Sequence, residues 1–302
     1  MTEGVKLMKH LNEKELGFPR LCAHRGYNFA APENTLPAFA MAVAMGAEEI
    51  ELDVWPSKDG DLIVCHDPDV SRTTDGKGHI TEMTTKEVLA LDAGSWFSPA
   101  YKGVKLPLFE EVLDLLGGKC IINIHIKSPV KTYVRPEKMI QRGKDLHYHH
   151  GGHVPIWPPL PVGIEEVLPE VENRPLIPYS EADFQKLLNA IDAYKCREYV
   201  YIAGEKDVLH TARAMAPDIP LTCLEGHMNF SIVEHALEYG CKKVQFCKGL
   251  TTQAMLDKAK ANGLICNLFW ADDPEEAKQY FDLGIDCILT NNYLPVKAAL
   301  EK

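Results

Sequence analysis

Short β-like runs begin at Tyr199 (YVYIA), Leu221 (LTCL), Lys243 (KVQF), Leu264 (LICNLF) and Asp286 (DCILT), about 21 to 22 residues apart. That interval holds one strand, one helix and two turns, so five such units in series predict a parallel sheet covered by helices. The stretches between the runs carry helix signals. Asn229 to Tyr239 is stopped by Gly240, Thr252 to Asn262 by Gly263, and Pro274 to Leu283 opens after Asp273 and closes at Gly284. The N-terminal half has the same parts. Leu21–Ala23 and Glu49–Val54 read as strands around a helix from about Leu36 to Met45, with Asn34 or Thr35 as N-cap and Pro37 in the first turn. Leu62–Cys65 follows an Asp59-Gly60 turn and is expected to fold back on the second strand as a hairpin. Thr84 and Glu87 form a capping-box pattern, Pro107–Leu116 an amphipathic helix, and Ile121–Ile126 a further buried strand. Of nine strand candidates, eight suffice to close a (β/α)8 barrel spanning residues 1–302 as one domain.

One segment breaks the rhythm. Ser128 to Tyr179 holds nine of the twenty prolines and four of the twelve histidines, with little periodicity. The alternation resumes with Ser180 capping the stripe Phe184, Leu187, Leu188 and Ile191. An insertion directly after a barrel strand lies over the C-terminal mouth, so residues 128–180 are expected to form a lid.

Charge and cysteine usage narrow the class of partner. The net charge is −11, with no Lys/Arg block, which argues against nucleic acid and stable membrane association. No apolar run approaches a bilayer span, and the first twenty residues lack a signal-peptide core. The nine cysteines include no C-x-x-C pair, and Cys22, Cys65, Cys120, Cys223, Cys266 and Cys287 fall in or beside strand-like runs as small hydrophobes. A reducing, cytoplasmic setting is the expectation.

Polar residues gather where successive strands should end: His24-Arg25-Gly26, Glu51-x-Asp53, His66-Asp67 and His125-x-Lys127. Residues i and i+2 of a strand share a face, so Glu51 points with Asp53, and Asn123 and His125 with Lys127. A lone strand carboxylate ordinarily pairs with a lysine, and a lone histidine is ordinarily a satisfied core group. Four such groups at four strand ends are better explained as a site. Two carboxylates on one face repel unless a cation joins them, which makes Glu51 and Asp53 candidate ligands of a hard divalent ion. His24 and His66 can divide acid and base roles, and Arg25 and Lys127 supply charge to hold a phosphate. Together these groups suggest phosphodiester cleavage.

These motifs, joined by Pro32-Glu33-Asn34-Thr35, Glu48–Val54, Val64-Cys65-His66-Asp67, Arg72–Gly78, Leu106–Val112 and Gly284-Ile285-Asp286, resemble the glycerophosphodiester phosphodiesterase family. The similarity covers nearly the whole chain outside the Ser128–Tyr179 insertion. It implies a TIM barrel with a small cap inserted after the second strand, residues 55–106, and hydrolysis of glycerophosphodiesters to glycerol 3-phosphate and an alcohol; the net charge of −11 points to a small soluble diester as the substrate. It further implies His24 and His66 as the acid/base pair, Arg25 on phosphate, and Glu51 and Asp53 on Ca²⁺ or Mg²⁺. Attack by the substrate's own glycerol hydroxyl, giving a cyclic phosphate that water opens, fits that equipment.

Three departures from the family pattern stand out. The third barrel strand commonly carries Glu-x-Lys, whereas this chain reads His125-Ile126-Lys127. A nitrogen ligand at His125 shifts the expected ion towards Mn²⁺ or Zn²⁺. Phe269-Trp270-Ala271-Asp272 replaces a Trp-Thr-Val-Asn run, and Thr290-Asn291 replaces Thr-Asp. Within the insertion, Trp157 and Tyr148 are candidates to stack on the substrate, and His147, His149, His150 and His153 are minor candidates for an extra ligand. The competing readings are a lyase that stops at the cyclic phosphate, an enzyme for a different phosphodiester, a catalytically silent diester-binding barrel, and a metal-independent scaffold.

Overall fold

Strand β2, Glu49–Pro56, is buried along its whole length, as a strand covered on both faces must be. In this computed structural model, which describes residues 16–128, 176–226, 230–248 and 250–301, β2 pairs in parallel with β1 (Arg20–His24) on one side and β4 (Ile121–Ile126) on the other. The sheet continues through β5 (Val200–Gly204), β6 (Leu221–Cys223), β7 (Lys243–Cys247), β8 (Ile265–Phe269) and β9 (Cys287–Thr290), and β9 returns to β1. Eight parallel strands thus close a TIM barrel, as the spacing predicts. The ninth, β3 (Leu62–Val64), pairs antiparallel with the end of β2, Val54 opposite Val64, and is the expected hairpin partner.

Register separates the strands into an outer apolar and an inner polar row. Ile50, Leu52 and Val54 of β2 and Ile122, Ile124 and Ile126 of β4 pack into the main core under the helices. The alternate residues Glu49, Glu51 and Asp53, with Asn123 and His125, therefore face the barrel axis. Helix α1, Leu36–Ala44, opens where the sequence places it. Thr35 is its N-cap by backbone, but its hydroxyl donates to the Pro32 carbonyl at 2.6 Å rather than capping the helix. Asn34 is not a cap, for its side chain turns to Asp53.

Between β2 and β4 the chain builds a second small core from Trp55, Ile63, Cys65, Val70, Ile80, Val88, Ala93 and Leu106. Helix α2, Thr85–Ala90, carries the expected capping box, with the Thr84 hydroxyl accepting from the Glu87 N–H and the Glu87 carboxylate from the Thr84 N–H. This cluster lies beside the mouth and supplies His66, Asp67 and Arg72 to it. All nine cysteines are free, eight of them buried. No helix among the described residues is long and apolar enough to cross a membrane.

Candidate active site

Parallel register sets the site. His24 is the cross-strand partner of Glu51, and Asp53 that of His125, so neighbouring strands deliver these side chains to the C-terminal mouth in two adjacent layers. The chain leaves β1 through Arg25 at φ 58° and Gly26 at φ 80°. A Cβ on Gly26 would stand 2.7 Å from the Ala38 carbonyl carbon, so this left-handed turn against α1 requires glycine. The turn aims the Arg25 N–H at Glu51 Oε2, 3.1 Å away, and its guanidinium at Glu33 (2.8 Å) and Asp53 (3.5 Å).

Glu51, Asp53 and His125 each present a ligand atom within 4.8 Å of the others. Both carboxylates are buried, and they divide one charge problem. Burial and the neighbouring Asp53 charge push the Glu51 carboxyl well up. Burial also opposes ionisation of Asp53, but Lys127, His66, His125 and Arg25 outweigh it and hold Asp53 well below the usual carboxylate range. Lys127 Nζ lies 2.9 Å from Asp53 Oδ1 and donates to His125 Nδ1 at 3.0 Å. Burial and the Lys127 charge push His125 down to about 4, which keeps its ring neutral and able to ligate. Two carboxylates and a neutral imidazole fit a divalent cation that accepts oxygen and nitrogen together.

The two imidazoles outside this trio are held differently. His24 Nδ1 lies 2.8 Å from Asn291 Oδ1, a neutral acceptor. His66 Nδ1 lies 2.6 Å from a carboxylate oxygen of Asp67. Burial, reinforced by Arg25, pushes His24 down to about 3; burial with Arg25 and Lys127 pushes His66 to about 4. Behind His66 runs a chain of charges: Arg72 binds Asp67 through Nε and holds both Glu33 oxygens at 2.7 and 3.0 Å, and Glu33 in turn meets Arg25. Burial works against the Glu33 charge, but Arg25 and Arg72 prevail and bring its pKa to about 2.

The structure thus brings His24, Arg25, Glu51, Asp53, His66, His125 and Lys127 to one mouth. Trp157, Tyr148 and the histidines 147, 149, 150 and 153 lie outside the described residues, as does most of the expected lid. Sequence reasoning missed the supporting roles of Asn28, Glu33, Asn34, Asp67, Arg72, Asp272 and Asn291. Of these, Asp67 sits beside His66 and Glu33 eight residues after Arg25, which is the signal that was available. It also missed a charged layer lower in the barrel. There Glu49 accepts from Tyr201 OH at 2.5 Å and pairs with Arg20 at 3.5 Å, while Lys243 Nζ lies 4.0 Å from the centre of the Tyr201 ring. Its signal was the polar residue at the start of three strands.

Fold and site together define a (β/α)8 barrel with imidazole, carboxylate and cationic groups converging at its C-terminal mouth. The glycerophosphoryl diester phosphodiesterase family model matches residues 24–149, the stretch that carries every one of these groups. Over that stretch the chain is similar to the glycerophosphoryl diester phosphodiesterase family. Among its relatives are the glycerophosphodiester phosphodiesterases of Caldanaerobacter subterraneus subsp. tengcongensis, 43% identical over 42% of this chain and 53% of the relative, and of Bacillus subtilis, 40% identical over 43% and 47%. The chain spans about half the length of these curated relatives. Among solved structures, an Oleispira antarctica phosphodiesterase in complex with the product sn-glycerol-3-phosphate aligns with a TM-score of 0.72 at 21% identity, covering 94% of this chain and 98% of that one. The Thermotoga maritima glycerophosphodiester phosphodiesterase aligns at 0.62 and 18% identity, over 92% and 96%. At these identities the likeness is one of fold.

Proposed function

We propose that the chain is a metal-dependent phosphodiesterase that hydrolyses glycerophosphodiesters to glycerol 3-phosphate and an alcohol. The observation that carries this reading is the convergence of two separately held imidazoles, His24 and His66, on a mouth that also holds Glu51, Asp53 and His125. Its named relatives act in the same class, and the product in the Oleispira structure is the one expected here.

Arg25 and Lys127 bind the phosphate oxygens, Arg25 keeping its fork oriented by the ion pair to Glu33. Glu51, Asp53 and His125 would hold the divalent cation, which would supply positive charge against the charge that builds on the phosphoryl oxygens. One imidazole takes the proton of the glycerol hydroxyl next to the phosphate as that oxygen attacks phosphorus. The other gives a proton to the departing alcohol oxygen. The cyclic phosphate formed is opened by water with the two roles exchanged. Burial favours the neutral form of both rings; the ring that acts as base accepts a proton directly, whereas the ring that acts as acid has to take up a proton first, which the Asp67 carboxylate at Nδ1 favours for His66.

The nitrogen donor of His125 favours Mn²⁺ or Zn²⁺ over Ca²⁺. The net charge of −11 supports a small diester free in solution over one presented on an anionic membrane, and nine free thiols support a reducing, cytoplasmic setting. The test is a panel of glycerophosphodiesters with protein stripped by chelator and reloaded with Ca²⁺, Mg²⁺, Mn²⁺ or Zn²⁺, measuring glycerol 3-phosphate and cyclic phosphate together. Glycerol 3-phosphate release with at least one ion is expected. Cyclic phosphate as the sole end product would replace hydrolysis by a lyase reaction, and binding without turnover under every ion would make this a diester-binding barrel.

A further inference from the structure

Asp272 lies just beyond β8 and Asn291 just beyond β9, and the two side chains lock together at the edge of the mouth. The Asn291 backbone N–H donates to Asp272 Oδ1 at 2.7 Å, its amide Nδ2 donates to Asp272 Oδ2 at 2.8 Å, and the Thr290 hydroxyl adds a third bond to Oδ1 at 3.2 Å. A carboxylate offers acceptors alone, so it fixes which end of the Asn291 amide faces it. The Nδ2 end points to Asp272, and the Oδ1 end must point the other way. There Oδ1 accepts from Asn28 Nδ2 at 2.6 Å and meets His24 Nδ1 at 2.8 Å. An amide oxygen cannot donate, so the ring proton of His24 must sit on Nδ1. The Nε2 lone pair is then the free one, on the side of Glu51 Oε2, 3.9 Å away.

We propose that Asp272 is a positioning residue that sets the tautomer of His24 through Asn291, which presents Nε2 as the proton-accepting atom. Asp272 touches no reacting group and acts through the orientation of one amide. The inference rests on the catalytic reading of His24 for its functional consequence, though not for its geometry.

The pair also predicts its own rescue. Asp272→Asn removes the carboxylate, so the Asn291 amide is free to turn and offer Nδ2 to His24. Asn291→Asp sets two carboxylates against each other across bonds that need a donor. The exchange of both, D272N/N291D, puts the carboxylate next to His24 and Asn28 as acceptor and lets the new amide at 272 donate to it. The experiment is ¹⁵N NMR of [¹⁵N]histidine-labelled, Mg²⁺-saturated protein, with His24 assigned by its loss in His24→Gln, beside kcat and KM for a glycerophosphodiester. Wild type and the exchange variant are expected to show the Nδ1–H tautomer, and Asp272→Asn the Nε2–H tautomer. For both single variants kcat should fall by about 10- to 100-fold, with KM nearly unchanged and thermal stability monitored alongside. The exchange should recover kcat to within a few-fold of wild type. An unchanged His24 tautomer in Asp272→Asn, or an exchange variant no better than the single ones, overturns the proposal while leaving the phosphodiesterase reading intact. Should wild type hydrolyse no glycerophosphodiester, the tautomer comparison still decides the positioning role.

Discussion

At the scale of single residues, the most exacting position is Gly26. Its φ of 80° and the 2.7 Å approach of any Cβ to Ala38 leave no relief by side-chain movement, because the obstacle is backbone. Gly26→Ala is expected to destabilise by about 2 kcal/mol or more, read by chemical denaturation, and to displace Arg25 from Glu51 and Glu33. His125 is the second informative position. Its exchange for Glu gives the cation a third carboxylate, so His125→Glu should shift affinity, measured by isothermal titration, from Mn²⁺ or Zn²⁺ towards Ca²⁺ and Mg²⁺. An unchanged order of affinities would remove His125 from the ligand set. Glu51, Asp53 and His125 were legible in the sequence because the two-residue period of a strand says which side chains share a face. Asp272 and Asn291 were visible only as two separate departures from a pattern. Nothing in a linear chain says that they are one bonded pair, or that the pair reaches His24 from the far end of the sequence.

Among the elements, the strands carry two stacked polar layers with different tasks. The lower layer is fully enclosed: burial opposes the Glu49 charge, but Lys243, Arg20 and the Tyr201 hydroxyl hold it ionised below the usual range. Tyr201→Phe leaves the buried Glu49 oxygen short of a donor and should cost about 1 to 3 kcal/mol of unfolding free energy. The segment between β3 and β4 contributes through Arg72, which joins Glu33 to Asp67 and so couples the two ends of the site. Glu33 is depressed in the folded protein to about 2 from an ordinary 4.5. Its stabilisation is therefore present above about pH 4.5 and is lost as the pH falls towards 2. Glu33→Gln should flatten that part of the acid-unfolding curve, whereas an identical curve would show that the Glu33 pairs contribute nothing. The elements themselves were read well from sequence, since spacing, caps and turn residues agree with one another. The lower layer escaped because a polar residue at a strand's start looks like a solvated end until the barrel closes around it.

For the whole molecule, closure of eight parallel strands brings Arg25 and Lys127, from the ends of two different strands, to one mouth of a chain of net charge −11. On the proposed reading, Arg25, Lys127 and a cation at Glu51, Asp53 and His125 would attract an anionic diester to a chain whose net charge is negative. The sequence rhythm revealed this architecture because each βα unit is local, and the site followed from the rule that barrel chemistry gathers at the carboxyl ends of the strands. The supporting network was less legible because it links loops that only the closed barrel makes neighbours. The central claim is that His24 and His66 together perform phosphodiester hydrolysis at this mouth. It is tested most directly by ³¹P NMR of a glycerophosphodiester incubated with metal-loaded wild type, His24→Ala and His66→Ala, with circular dichroism to show that all three are folded. Wild type should convert the diester to glycerol 3-phosphate, and each folded variant should be slower by about 100-fold or more; turnover by either variant at the wild-type rate would contradict the account.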